Sequence, residues 1–304
     1  MITLKGVSKS FGTQIAVDNV SLEANDKEIL VLLGTSGCGK TTTLKMVNRL
    51  IEPDSGTILI DGEDIKDKKP EALRKTIGFV MQHAGLFPHY TVAQNIAILP
   101  NLLKWDKNTT QNRTGELLEK LNLPQTLLSR YPHELSGGQQ QRVGIARALI
   151  GNTPVLLMDE PFGALDTITK AAIHKEFKSL DELTNKTTLL VTHDVQEAFE
   201  LGHRICLMDK GQILQTGTPQ AMLYHPANDF VKDFFAASRL ILEYKIATVA
   251  AVAPHFKTGL HLPDALATAS VWQALQTLST ESRHTAHYEA LVQAFNHYRK
   301  LQIA

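Results

Sequence analysis

Apolar positions fall into short dense runs in the first third of the chain and again after its midpoint, with wider helical spacing in between. Runs of β type occupy 2–4, 20–22, 29–33, 57–60 and 77–81, separated by the Gly, Asp and Asn that mark turns. From Val92 to Leu149 the spacing becomes helical, and ELLEKLNL at 116–123 is a plain amphipathic segment. VLLM at 155–158 and TLLV at 188–191 are nearly unbroken apolar runs, suited to parallel strands buried on both faces. Between them Ile173, Phe177 and Leu180 recur at helical spacing and predict a helix crossing back over the sheet. Segments 204–208 and 212–215 flank DKG and predict a hairpin. Strand and helix alternating around buried strands give an α/β core, with a mainly helical insertion near 88–150. Near Ser238 the character changes to a stretch rich in Ala, Thr, His and Leu. The expected organisation is a main domain over 1–238 and a small extension over 239–304.

Composition narrows the setting without naming a chemistry. With 304 residues, 43% hydrophobic and 20% charged, the chain has the make-up of a soluble globular protein. Its 31 basic and 31 acidic residues cancel, which removes any bulk argument for nucleic acid or an anionic membrane surface. A local basic face stays open. Cys38 and Cys206 form no CxxC pair, which points to a reducing compartment and offers no metal site. The opening MITLKGVSKSFG lacks the apolar centre expected of a secretory signal. The longest apolar candidate for a span, IATVAAVA at 246–253, falls far short of the roughly 20 residues needed. Work at a membrane would therefore need another chain to hold this one there.

The chemistry begins at Gly34–Thr41, GTSGCGKT, which fits G-x-x-x-x-G-K-[ST] directly after the apolar strand ILVLL. Its glycines, Gly34, Gly37 and Gly39, let backbone N–H groups close around phosphates, with Thr35, Ser36 and Thr42 completing the cradle. Lys40 is expected to reach the β- and γ-phosphates, and Thr41 to give an oxygen to Mg²⁺. Cys38 occupies a variable position of the loop and reads as packing. Asp159 and Glu160 end the strand VLLM, on the side where open parallel sheets bind ligands. Asp159 is a Mg²⁺ ligand candidate, and Glu160 a base that deprotonates an attacking water; without the P-loop, such a pair is more often a helix start or a solvated turn. His193 follows TLLVT; it is either one of twelve ordinary histidines or a contact to the γ-phosphate. Gln82 ends IGFVM, where a neutral amide can meet Mg²⁺ or the attacking water. A second phosphate-type element, LSGGQ at 135–139, stands at a predicted helix start.

Taken in order, GTSGCGKT, Gln82, LSGGQ, LLMDE, GALD at 163–166 and His193 resemble an ABC-type ATPase over roughly residues 1–235. The resemblance implies a P-loop NTPase core with a helical subdomain and an antiparallel β subdomain. The named loops become Walker A, Q-loop, signature, Walker B, D-loop and H-switch. It implies ATP and Mg²⁺ as cofactors, and an adenine stack on Phe11, for which a buried core phenylalanine is the rival reading. It also implies that each ATP is sandwiched between Walker A of one copy and the signature of a second. Ser136, Gly137, Gly138 and Gln139 would then complete the γ-phosphate site in the partner, and Asp166 would sit near the dimer axis.

NRLIEPDSG (48–56), GLFPH (85–89), ILPNLLKW (98–105) and MDEPFGALD (158–166) further resemble the ATPase subunits of bacterial osmoprotectant importers for glycine betaine, carnitine or choline. That likeness implies a peripheral protein on the cytoplasmic face of the membrane. Its permease partner would be gripped through Leu86, Phe87 and Pro88, and an extracytoplasmic binding protein would act indirectly. Residues 239–304 faintly resemble part of a CBS regulatory module, with a dimer-stabilising tail and a degenerate remnant as the other readings. The alternatives are an importer of another small solute, such as an amino acid, and a non-transport ABC ATPase acting on nucleic acid. Against the latter, the chain has one cassette and no sustained heptads between Gly34 and LSGGQ. A plain P-loop kinase or GTPase has no use for LSGGQ.

Overall fold

The computed structural model describes residues 1–163, 167–178, 180–256, 263, 266–279 and 285–303. Backbone contacts divide the chain into two compact units, Met1–Leu214 and Gln215–Ala304.

In the first unit the dense apolar runs become strands: β1 (Ile2–Phe11), β2 (Gln14–Ala24), β3 (Ile29–Gly34), β4 (Ser55–Ile60), β5 (Glu63–Asp64) and β6 (Ile77–Val80). After the helical insertion come β7 (Val155–Asp159), β8 (Thr187–Thr192), β9 (Arg204–Asp209) and β10 (Gln212–Gly217). Two sheets form, one ordered β2-β1-β4-β5 and one ordered β10-β9-β3-β8-β7-β6. The first is antiparallel throughout. In the second, β9, β3, β8, β7 and β6 run parallel. Every residue of β3, β7 and β8 is buried, the reason their sequences show no polar alternation. One core joins the sheets, with Leu4, Val20 and Ile58 meeting Leu32, Val155, Leu189 and Cys206. Cys38 lies in the same core as a free, buried thiol, in keeping with packing. The predicted hairpin turns on Lys210 and Gly211 with φ of 46° and 82°, the pair of positive values a two-residue type I′ loop requires.

The insertion between β6 and β7 holds helices Val92–Ile96, Ile98–Leu102, Lys107–Lys120 and Gly137–Leu149. Leu117 and Leu118 of the amphipathic segment are fully buried. One sequence expectation needs correcting. Ile173 and Phe177 are buried on helix Thr167–Lys178, but Leu180 lies beyond it in an extended conformation, capping Asp181–Thr184. Its side chain is buried all the same: periodicity reports burial, and a residue just past a helix end can be buried without being helical.

The second unit is helical, with Pro219–Tyr224, Asp229–Ala236, Arg239–Ile246, Val249–Val252, Val271–Ser279 and Thr285–Ile303. Ser238 caps Arg239–Ile246 inside this unit. Val249, Val252, Val271, Leu275, Leu278, Leu291 and Phe295 form its core, and Phe295 stacks on Tyr244 at 4.2 Å. An antiparallel bridge, Thr248 with Ser270, ties its two halves.

Candidate functional site

Parallel register brings the chemistry to one edge. Gly34 is level with Met208, Leu33 with Thr192, and Asp159 with Val191. The residues that follow β3, β7 and β8 therefore leave the sheet together, at its carboxyl edge.

The P-loop turns from Gly34 into helix Lys40–Val47, which is capped by Gly39 at φ 103°. A Cβ on Gly39 would stand 2.3 Å from the Ala16 carbonyl oxygen, and one on Gly34 2.2 Å from that of Met208. Only glycine allows so close a backbone approach. Thr35, Ser36 and Gly37 are exposed, whereas Cys38, Gly39 and Lys40 are buried. The Lys40 ammonium donates to the carbonyl oxygens of Gly34 at 2.9 Å and Thr35 at 2.8 Å. It is thus held over the loop whose N–H groups would surround a phosphate. Thr41 and Thr42 form the half-buried first turn of the helix.

Thr41 donates its hydroxyl to Asp159 Oδ1 at 2.8 Å. Burial raises the Asp159 carboxyl above its ordinary value, outweighing the Thr41 hydrogen bond and the charges of Lys45 and Lys40, with Glu160 adding to the rise. A buried carboxylate beside a hydroxyl is a hard-oxygen donor set that suits Mg²⁺. Among the described residues no group of three or more His, Cys, Asp or Glu gathers for a metal. A cation here would take its remaining ligands from phosphate and water.

Glu160 has φ 43°, uncommon for a residue with a side chain. Its N–H donates to the Val191 carbonyl oxygen at 2.9 Å. Gln82 Nε2 reaches Glu160 Oε2 at 3.0 Å, and His193 Nδ1 lies 3.1 Å from Oε1. Three residues separated widely in sequence thus form one cluster. His193 is among the exposed residues but has a specific partner in Glu160.

Phe11 ends β1 with 51% exposure, which removes the buried-core alternative. Lys9 Nζ lies 5.6 Å from its ring centroid.

The signature forms a capped helix start. Ser136 Oγ accepts from Gln139 N at 3.3 Å, and Gln139 Oε1 from Ser136 N at 2.9 Å. Gln139 therefore has a local role in shaping the turn. Ser136 and Gly137 are exposed, and a Cβ on Gly137 would meet nothing within 4 Å. Helix Gly137–Leu149 carries Arg147, whose guanidinium, its pKa lowered by burial, donates to Ala84 O and Gly85 O at 2.6 and 2.8 Å. Asp166, expected near a dimer axis, lies outside the described residues.

Leu86 is half-buried, while Phe87 and Pro88 are exposed. Phe87 and Tyr90 line a groove of about 490 Å³ with Ile98 and Leu102. Asn95, fully buried, pins the segment: it accepts from Phe87 N at 2.8 Å and donates to the carbonyls of Phe87, Tyr90 and Thr91. The sequence reading passed over Asn95 and Arg147. Asn95 had a signal, a polar residue on the face of Val92 and Ile96 in a buried helix. Arg147 had none, since nothing local foretells its carbonyl partners.

The family profile described as ABC transporter matches residues 17–163. The choline transport ATP-binding protein OpuBA of Bacillus subtilis is 51% identical over 242 residues, which cover 79% of this chain and 64% of that protein. The chain thus spans just under two thirds of that relative's length. The glycine betaine uptake system ATP-binding protein YehX of Escherichia coli is 51% identical over 240 residues, covering 79% of this chain and 78% of YehX. Among solved structures, a dimeric ATP-binding cassette in a post-hydrolysis state with ADP and Pi superposes with a TM-score of 0.65. It is 35% identical and covers 72% of this chain and 98% of its own.

Proposed function

The chain belongs to the ABC transporter family, and from that premise we propose that it hydrolyses ATP to drive a bacterial importer of quaternary ammonium osmoprotectants such as glycine betaine, carnitine or choline. The observation that carries the reading is the carboxylate of Glu160, held between Gln82 and His193 beside the Thr41–Asp159 pair.

The P-loop N–H groups and Lys40 bind the phosphates of ATP, and Phe11 offers a face to the adenine. Thr41 and Asp159, together with Gln82, would hold Mg²⁺, which would offset phosphate charge. Glu160 orients the attacking water and takes its proton. His193 fixes the Glu160 carboxylate and touches the γ-phosphate, while Gln82 holds the other carboxylate oxygen.

Ser136, Gly137 and Gly138 of a second copy close over the γ-phosphate, so two chains form two composite sites. The open face at Gly137 supports this arrangement, as does the dimeric state of the related cassette. ATP binding closes the pair, and hydrolysis reopens it. Leu86, Phe87 and Pro88 grip a short helix of the permease, next to the groove that Tyr90 and Leu102 line with Gln94 and Asn101. Among the described residues no helix is long and apolar enough to cross a membrane, and in this reading the chain sits peripherally on the cytoplasmic face. An extracytoplasmic binding protein selects the solute.

The test is Mg²⁺-dependent phosphate release by the purified chain, together with uptake of labelled betaine, choline or carnitine by membranes carrying it with its permease. Hydrolysis linked to a different solute would keep the ATPase and remove the osmoprotectant assignment. Absence of hydrolysis would remove both.

A further inference from the structure

His193 has to be held in place for its ring to hold Glu160, and the residues on either side of it are not free to move. On one side, the buried Thr192 donates its hydroxyl to Glu197 Oε2 at 3.1 Å and accepts from Asp194 N at 3.0 Å. On the other, Asp194 Oδ1 caps helix Val195–Leu201 by accepting from the N–H groups of Gln196 and Glu197. One cation reaches both acids of this frame. Lys170 Nζ lies 2.5 Å from Asp194 Oδ2 and 3.1 Å from Glu197 Oε2. Glu197 is 1% exposed, so Lys170 supplies a buried carboxylate with its counter-charge.

Lys170 itself belongs to helix Thr167–Lys178, not to the element that carries His193. Burial works against its charge, yet Asp194 and Glu197 outweigh that and raise its pKa. Asp194 is shifted the other way: burial opposes its charge, and Lys170 and the helix-capping N–H groups pull its pKa below the ordinary value. The ammonium thus bridges helix Thr167–Lys178 to both flanks of His193.

We propose that Lys170 is a positioning residue for hydrolysis: by gripping Asp194 and Glu197 together it fixes the backbone on both sides of His193 and so sets the ring against Glu160. This rests on the reading of Glu160 and His193 as the hydrolytic pair. Lys170 contacts Asp194 and Glu197, and its effect passes wholly through His193.

Two independent readouts on the full chain test it. In steady-state hydrolysis, Lys170→Met is expected to lower kcat about 10-fold with KM within about 2-fold, and Lys170→Arg to recover most of the loss. Adding Lys170→Met to His193→Ala is expected to cost nothing further, because both act on one function. The second readout needs no turnover. The imidazole ¹⁵N resonances of His193 are expected to move or broaden in Lys170→Met and return in Lys170→Arg. Should Lys170→Met fail to fold, Glu197→Gln removes one of the two grips and is expected to show the same pattern at about 3-fold. Unchanged His193 resonances, a loss carried by KM, or full additivity with His193→Ala overturns the proposal. A wild-type chain that hydrolyses no ATP defeats only the functional reading, and the resonances then decide the role of Lys170.

Discussion

Changing Glu160 to Gln removes one negative charge and almost no volume. The carboxylate receives two contacts, from Gln82 Nε2 at 3.0 Å and His193 Nδ1 at 3.1 Å. A glutamine oxygen accepts only one of them, and its amino group faces the other partner. His193 can present Nδ1 as an acceptor by exchanging tautomer, and Gln82 can turn its carbonyl inward, so the cluster keeps its shape. Folding stability should therefore change by less than about 1 kcal/mol. The chemistry loses far more, because a positioned general base contributes about 10²–10⁴-fold. That range corresponds to about 3–5.5 kcal/mol of barrier at about 1.4 kcal/mol per decade. Phosphate release at saturating Mg-ATP, binding of a fluorescent ATP analogue and mass by light scattering measure the consequences. Turnover is expected to fall at least about 100-fold, with nucleotide affinity within about 3-fold and an ATP-dependent dimer that persists. Turnover within about 3-fold of the unmodified chain would refute Glu160 as the base. A fall explained by lost nucleotide affinity would refute the geometry instead.

A composite site makes a sharper demand on mixed dimers. Ser136→Arg paired with Lys40→Ala leaves one intact site, so activity is expected in the mixture and in neither variant alone; full activity of Ser136→Arg chains by themselves sinks the two-chain site. For Asp159, the raised folded pKa means that the folded state holds the proton more tightly than the unfolded chain, so stability falls as pH rises from the ordinary carboxyl value of about 3.8 through the folded pKa. Asp159→Asn is expected to melt higher than the parent at pH 7, to converge with it in acid, and to lose Mg²⁺-dependent hydrolysis. A lower melting point at pH 7 contradicts the account. Phe295→Ala empties the centre of the second core, at a cost of about 3–5 kcal/mol. Protease cuts are expected to appear within helices Val271–Ser279 and Thr285–Ile303, and unchanged protection there refutes Phe295 as the centre of that core.

Much of the first unit was legible beforehand. Each dense apolar run became a strand, and in β3, β7 and β8 burial on both faces leaves no room for polar residues. The P-loop and LSGGQ were equally legible, since their chemistry depends on glycine conformation and helix starts, which are local. The two-residue strand Glu63–Asp64 was not, as it is polar and too short to show a period. Nor was the end of helix Thr167–Lys178, where Leu180 is buried without being helical.

By itself the sequence singled out the residues proposed to carry the chemistry: Lys40, Thr41, Gln82, Asp159, Glu160 and His193 each stand at a strand end or a glycine turn that local physics can recognise. Tertiary structure alone decided how they meet. The register of β3, β7 and β8 places those ends at one sheet edge, and the turn at Glu160 aims its carboxylate between Gln82 and His193. It also decided the supporting residues: Asn95 under the 87–91 segment, Arg147 on the carbonyls of Ala84 and Gly85, and Lys170 between Asp194 and Glu197. Their partners come from other elements of the chain. Hydrogen bonds and ion pairs act over a few ångströms in space, and no spacing along the sequence encodes that distance.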